Sequence, residues 1–201
     1  MTIKERIERG WRSRAQRITL AEMREVRTAI WDIEAGGLDA NYDVMLCATI
    51  KQLEGPMEVF QIGDKRWNDK KLLREVSDYL TNFDILVHHY GDRYDVPFTN
   101  TRLLIQGLPL LDLSNTILVD TWWTARHAYK FNNNRLATLI DALGTPTSKS
   151  PLDGPIWIKA KAGGKRALDY IVEHNIRDVE ALEEVVEIMA AAGGLKYRYW
   201  K

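Results

Sequence analysis

The chain of 201 residues carries 28 basic and 28 acidic side chains, so its formal net charge is zero, which argues against a protein that coats nucleic acid by charge alone. Hydrophobic residues make up 45% of it, which excludes a disordered chain and is enough for one domain with a substantial core. Without a long apolar run or a signal region, and with Cys47 as its single cysteine, the chain is predicted to be a cytoplasmic protein that does not contact membranes.

The first 27 residues are charged, with widely spaced apolar positions, which predicts a helical N-terminal extension over residues 1–27. Three apolar runs separated by glycine-containing turns follow, and they predict an antiparallel meander. These runs are residues 28–34, 44–50 and 57–62. We therefore expect the extension to precede a single domain over residues 28–201.

The rest of the chain alternates short apolar runs with segments of helical periodicity. The predicted strands are 83–88 and 117–120, and the predicted helices are 69–80, 96–106, 135–143 and 165–190. Asn134 is predicted to cap the third of these helices and Gly144 to end it. Three antiparallel strands followed by this alternation predict a mixed α/β sheet with parallel strands in its second half and helices on its faces.

Two acidic residues, Asp32 and Glu34, are two positions apart on the first predicted strand, so a strand places both side chains on one face. Carboxylates on a buried face repel each other and lose solvation, and a divalent cation that binds both removes the problem. A strand end that leaves both groups in water explains the pair equally well.

Two further aspartates occupy positions that can serve chemistry. Asp95 lies where a predicted strand leads into a predicted helix, although an aspartate there can simply cap the helix. On a continuous helix, Tyr170, His174 and Asp178 are spaced four residues apart and share one face. An exposed polar stripe is the alternative explanation for that face.

Taken together, these motifs resemble the DEDD (DnaQ-like) superfamily of 3′–5′ exonucleases, which has an RNase H-like fold. The resemblance covers roughly residues 28–190 and rests on Asp-x-Glu at residues 32–34, the segment 89–97 followed by Arg102, and His-Asn-x-x-Asp at residues 174–178. It is closest to the compact YprB-like and phage-type members. The resemblance implies an RNase H-like mixed sheet and a location in the cytoplasm of a bacterial or virus-infected cell.

The resemblance also implies phosphodiester hydrolysis with two Mg²⁺ or Mn²⁺ ions, which oxygen ligands select. Asp32 would bind both ions, Glu34 and Asp178 the ion that carries the attacking water, and Asp95 the second ion. His174 stands four residues before Asp178, where one subgroup of the family has tyrosine, whereas the other has its histidine five residues before. We expect His174 to be the general base, with Tyr170 as the alternative.

Nucleic-acid contacts are predicted from charge and from the resemblance. Residues 121–168 contain eight basic and two acidic side chains, which predicts a basic face, although a solvated surface is the simpler explanation. The candidate phosphate contacts are Arg102, Lys130, Arg135 and Lys149. Leu38, which follows the glycine turn, is placed as family members place a residue that wedges against the terminal base. A core leucine is an equal alternative.

The expected partners are the 3′ ends of single-stranded DNA or RNA, and a proofreading role would need a separate polymerase or replication protein. An inactive RNase H-like module that binds nucleic acid or protein is one alternative, but all four carboxylates are present. A structure-specific endonuclease on the same fold is another, but the order of the motifs favours an exonuclease. A circular substrate would separate these last two.

Overall fold

The computed structural model describes residues 2–8, 17–147 and 154–199. Its strands are β1 (Arg17–Ile18), β2 (Thr28–Ala35), β3 (Met45–Gln52), β4 (Met57–Gln61), β5 (Ile85–His88), β6 (Ile117–Asp120) and β7 (Leu195–Tyr199). Its helices are α1 (Ile3–Glu8), α2 (Leu20–Arg24), α3 (Lys70–Leu80), α4 (Asp95–Ile105), α5 (Thr121–Ala128), α6 (Leu136–Leu143), α7 (Gly154–Lys161) and α8 (Lys165–Ala191). None of the described helices is long and apolar enough to span a membrane.

The strands form one seven-stranded sheet in the order β1-β7-β6-β5-β2-β3-β4. The neighbours β2, β3 and β4 are antiparallel, whereas β2, β5 and β6 run parallel to one another. The predicted mixed sheet is confirmed by this arrangement. Because β2, β5 and β6 are parallel, their carboxyl ends meet at one edge of the sheet, where polar side chains collect.

Both faces of the sheet are covered by buried apolar side chains. Strand β2 shows the division, since Ala29, Trp31 and Ile33 belong to one cluster and Ile30 belongs to the other. With the two-residue period of a strand, Asp32 and Glu34 share the face of Ile30. The apolar core on that face therefore gives way to two carboxylates as β2 reaches the polar edge.

The N-terminal segment differs from the predicted helical extension. It forms α1 and α2, but residues 17 and 18 are a strand and pair with β7. Thr19 then starts α2 with a capping box, in which its hydroxyl accepts from Glu22 N and the Glu22 carboxylate accepts from Thr19 N. The segment before residue 28 thus contributes an edge strand to the sheet.

Several local expectations need correction. Helices α5 and α7 and strand β7 were not predicted, because none of them has a long periodic pattern of its own. The predicted cap Asn134 is wrong, since α6 begins at Leu136 with Arg135 at the N-cap position and without a side-chain cap hydrogen bond. Gly144 ends α6 in the left-handed conformation, with a φ of 67°, as predicted.

Candidate metal centre and active site

The polar end of β2 is not open to water as a simple strand end would be. Glu34 has a side chain only 16% exposed, and Asp32 is half-buried. The thiol of Cys47 lies opposite Glu34 on β3, and its pKa is raised well above the usual value, first by burial and then by the charges of Glu34 and Asp32. The solvated explanation for this carboxylate pair is therefore wrong for Glu34.

Helix α8 places a second group of polar side chains against β2. His174 and Asp178 are buried, because α8 packs across the sheet with its apolar side chains in the core. His174 Nε2 lies 3.8 Å from Glu34 Oε1 and 3.8 Å from Asp178 Oδ2. One ligand atom from each of these three residues lies within 4.8 Å of the other two. The exposed-stripe explanation is therefore wrong for His174 and Asp178. Tyr170, one turn earlier on α8, is half-buried.

Asp95 is the first residue of α4 and is only 2% exposed. Its Oδ1 accepts a hydrogen bond of 3.1 Å from the backbone N–H of Ile33, the residue between Asp32 and Glu34. Burial raises the pKa of Asp95 to about 6, although the charge of His88 and hydrogen bonds from backbone amides oppose the rise. Asp95 thus binds β2, the acidic strand that carries Asp32 and Glu34. A simple helix cap makes no such contact.

Two contacts to the acidic strand were missed by the sequence analysis. Asn175 Nδ2 donates to Asp32 Oδ2 at 2.7 Å, and Trp157 Nε1 donates to Glu34 Oε2 at 3.3 Å. Their partners are 143 and 123 residues away along the chain, so no local pattern pairs them. The sequence carries one signal for Asn175, because this residue belongs to the same motif as His174 and Asp178.

A second polar cluster lies beneath the turn between β5 and α4. One ligand atom each from His88, Asp92 and Asp120 lies within 4.8 Å of the others. Burial disfavours a protonated His88, but its hydrogen bond to Asp92 and the charge of Asp120 outweigh that effect and raise its pKa. Asp120 Oδ1 accepts from the backbone N–H groups of Tyr90 and Trp122 at 3.0 and 2.9 Å, which fixes the turn and starts α5. This cluster supports the turn that carries Asp95.

The predicted nucleic-acid contacts are distributed over the surface and the interior. Leu38 is 83% exposed after the β2 turn, so the core alternative for it is wrong. Lys130 and Arg135 are exposed, and Lys149 lies outside the described residues.

Arg102 is not available as a surface contact for phosphate. It is 6% exposed, and its Nε and Nη2 donate to the two carboxylate oxygens of Asp69 at 2.9 Å each. Its Nη1 donates to the carbonyl of Ala40 at 3.0 Å. The expectation that Arg102 binds phosphate is therefore wrong. Its guanidinium forms a buried ion pair with Asp69 and a hydrogen bond to Ala40, which together join α4 to two loops.

The carboxylates of Glu34 and Asp178, with His174 beside them, are spaced so that they fit a divalent cation. Two ligands on opposite sides of an octahedral Mg²⁺ ion are about 4.2 Å apart, since each lies at about 2.1 Å from it. An oxygen of Glu34 and an oxygen of Asp178 lie within 4.8 Å of each other, a limit that exceeds this span only slightly. A cation there would also relieve the repulsion between buried carboxylates.

Comparison with known proteins adds two findings. A family model described as the RNase H superfamily matches residues 29–190, from the start of β2 to the end of α8. The family B DNA polymerase from the hyperthermophilic archaeon Pyrobaculum calidifontis matches with a TM-score of 0.64 and 20% identity, over 79% of this chain and 24% of the polymerase. The chain thus spans about a quarter of that polymerase, and the likeness is one of fold. No curated protein matches.

Proposed function

The chain belongs to the RNase H superfamily, and from that premise we propose that it is a metal-dependent 3′–5′ exonuclease of the DEDD (DnaQ-like) type, akin to the compact YprB-like and phage-type members. The expected RNase H-like fold is confirmed by the family match. The proposal depends above all on one observation. Glu34 and Asp178 meet at one edge of the sheet, where Asp95 is hydrogen-bonded to the backbone between Asp32 and Glu34.

Four carboxylates would hold the metal ions. Glu34 and Asp178 would bind one Mg²⁺ or Mn²⁺ ion, Asp95 would serve a second, and Asp32 would bind both. When bound, a pair of such ions supplies a hydroxide nucleophile and neutralises charge on the leaving oxygen. The hydrogen bond from Asn175 orients Asp32.

His174 is proposed as the general base. Its Nε2 stands 3.8 Å from a carboxylate oxygen of each of Glu34 and Asp178, beside the place where those oxygens would orient a water molecule. A neutral imidazole there accepts the proton of the attacking water. Tyr170 is the alternative base, and the His174→Gln variant distinguishes the two, because it retains activity only if Tyr170 serves.

The proposed substrates are the 3′ ends of single-stranded DNA or RNA. Leu38 is exposed on the loop that directly follows the acidic strand, where a side chain can pack against a terminal base. Lys130 and Arg135 are exposed and remain proposed phosphate contacts, together with Lys149. In this proposal a polymerase or replication protein would be a separate partner.

The test is incubation of the protein with 5′-labelled single-stranded DNA and RNA oligomers in Mg²⁺ or Mn²⁺. We expect a ladder that shortens from the 3′ end and disappears in EDTA. Asp178→Asn should lower the rate by more than about 100-fold. Loss of a group that only hydrogen-bonds to a metal ligand already lowers metal affinity or activity by about 10–100-fold. The matched control Asp64→Asn changes an exposed aspartate outside the centre and should keep the wild-type rate.

The same assay separates the competing functions. Cleavage of circular single-stranded DNA would identify an endonuclease. Binding of oligomers without cleavage in either metal would identify an inactive binding module. The ratio of the DNA and RNA rates then decides which nucleic acid is the substrate.

A further inference from the structure

Trp157 hydrogen-bonds through its side chain to Glu34 on the acidic strand and approaches one particular oxygen of that carboxylate. Its Nε1 donates to Oε2 of Glu34 at 3.3 Å, whereas Oε1 of the same carboxylate faces His174 Nε2 at 3.8 Å. The indole ring also meets the imidazole of His174 edge-on, with the ring centroids 6.0 Å apart and the planes at 83°. One side chain thus contacts both a proposed metal ligand and the proposed base.

We propose that Trp157 is a positioning residue, which holds Glu34 with its Oε1 turned towards His174 and Asp178. It thereby raises the affinity of Glu34 and Asp178 for a divalent cation. This inference rests on the metal centre of the proposed function. It goes beyond that centre by assigning a role to a residue outside the set of ligands.

The physical reason lies in the crowding of negative charge. Repulsion from neighbouring carboxylates favours rotation of Glu34 away from the cluster, and that rotation would have to be reversed each time a cation binds. A hydrogen bond to Oε2 opposes the rotation. The indole N–H is a donor that carries no charge and accepts no proton, so it fixes the carboxylate without competing with the cation, as a lysine would.

Helix α7 is itself held in place, so the indole is a fixed donor. Lys161 at the end of α7 forms an ion pair with Asp43 in the loop after β2. Ala160 is buried, and Trp157 packs against the core cluster. Gly36 leaves room for the Lys161 side chain to lie against this loop, since a Cβ there would come within 2.6 Å of Lys161 Cδ. The helix therefore spans from α8 to the loop beside Glu34.

The test measures binding of Mn²⁺ alone, by the electron paramagnetic resonance signal of the free ion. Trp157→Phe keeps an aromatic ring but removes the N–H group together with the smaller ring of the indole, and the cycle described below separates the packing loss from the lost hydrogen bond. We expect its dissociation constant for Mn²⁺ to rise by about 10-fold, the lower end of the range for residues that orient metal ligands. Trp123→Phe, on the exposed side of α5, is the matched control and should bind Mn²⁺ as the wild type does.

A double-mutant cycle separates positioning from packing. If Trp157 acts through Glu34, then Trp157→Phe should not weaken Mn²⁺ binding further in a Glu34→Gln protein. Lys161→Met should weaken binding in the same direction by a smaller factor, because it loosens α7. In the exonuclease assay, Trp157→Phe should raise the Mn²⁺ concentration needed for half-maximal rate and leave the rate at saturating Mn²⁺ within about 3-fold of the wild type.

Two results would overturn the inference. One is an unchanged Mn²⁺ affinity in a Trp157→Phe protein that retains the wild-type circular dichroism spectrum. The other is an equal loss of affinity in the presence and absence of the Glu34→Gln change. Failure of the proposed function looks different, because then the wild-type protein itself would show no Mn²⁺ binding that depends on Asp178.

Discussion

Asp95 carries an electrostatic cost because its carboxyl group is removed from water. Its carboxyl group is buried, and burial raises its pKa to about 6. In the unfolded chain an aspartate titrates near 3.9. The folded protein therefore binds the proton of Asp95 more tightly than the unfolded chain. This contribution to stability is complete below pH 4 and is lost as the pH rises through about 6.

The Asp95→Asn variant isolates this effect, since the amide oxygen can still accept from Ile33 N. In EDTA, the free energy of unfolding of the variant relative to the wild type should rise by up to about 3 kcal/mol between pH 4 and pH 8. Urea unfolding of both proteins across this range measures it. A difference that stays constant with pH would show that Asp95 titrates as it does in the unfolded chain.

At the scale of the element, the turn from β5 into α4 determines where Asp95 sits. Tyr90 adopts a positive φ of 67° in this turn, and the next residue is Gly91. A Cβ at Gly91 would overlap the imidazole ring of His88. That ring is fully buried, held by Asp92 and packed edge-on to Trp31 with centroids 6.2 Å apart, so it has little room to yield. The glycine is therefore required by the packing of the polar cluster beneath the turn.

Gly91→Ala should destabilise the protein by about 1–3 kcal/mol, the usual cost of overpacking. It should also lower the exonuclease rate, because the displaced turn moves Asp95. The matched control is Gly63→Ala, whose Cβ meets no atom within 4 Å and which should leave stability unchanged or raise it by up to about 1 kcal/mol. Urea midpoints and initial rates of both variants test the pair, and equal midpoints would refute the steric argument.

At the scale of the whole molecule, the sheet joins segments from the two ends of the described chain. Arg17 and Ile18 pair with Lys196 and Leu195, and Arg17 Nη1 donates to the carbonyl of Gly193 at 2.9 Å. Ile18 is fully buried in the cluster that also contains Leu195. The N-terminal segment is therefore expected to unfold together with the domain and not as an independent extension.

Ile18→Ala should lower the free energy of unfolding by about 2–5 kcal/mol, as for other large-to-small changes in a core. Ile158→Ala removes the same atoms from a side chain that is 72% exposed. It should change the free energy of unfolding by less than about 0.5 kcal/mol. Tryptophan fluorescence and circular dichroism should report one common transition in urea. Similar effects of the two substitutions would place Ile18 outside the cooperative core.

The sequence by itself determined the features that depend on local periodicity. A two-residue period placed Asp32 and Glu34 on one face, and a helical period placed His174 and Asp178 together on α8. Alternating strands and helices predicted the mixed sheet. These predictions succeeded because the pattern of polar and apolar residues along a strand or a long helix records which face is buried.

Only the tertiary structure decided which distant groups meet. Arg102 was expected at the surface, but its partner Asp69 lies 33 residues away and draws it into the interior. The sequence also did not predict that Asn175 donates to Asp32 and Trp157 to Glu34. Strand β7 was not predicted either, because it forms only between β1 and β6. The reason is that a periodic pattern shows that a side chain is buried, whereas its hydrogen-bond partner is set by how separate elements pack against one another.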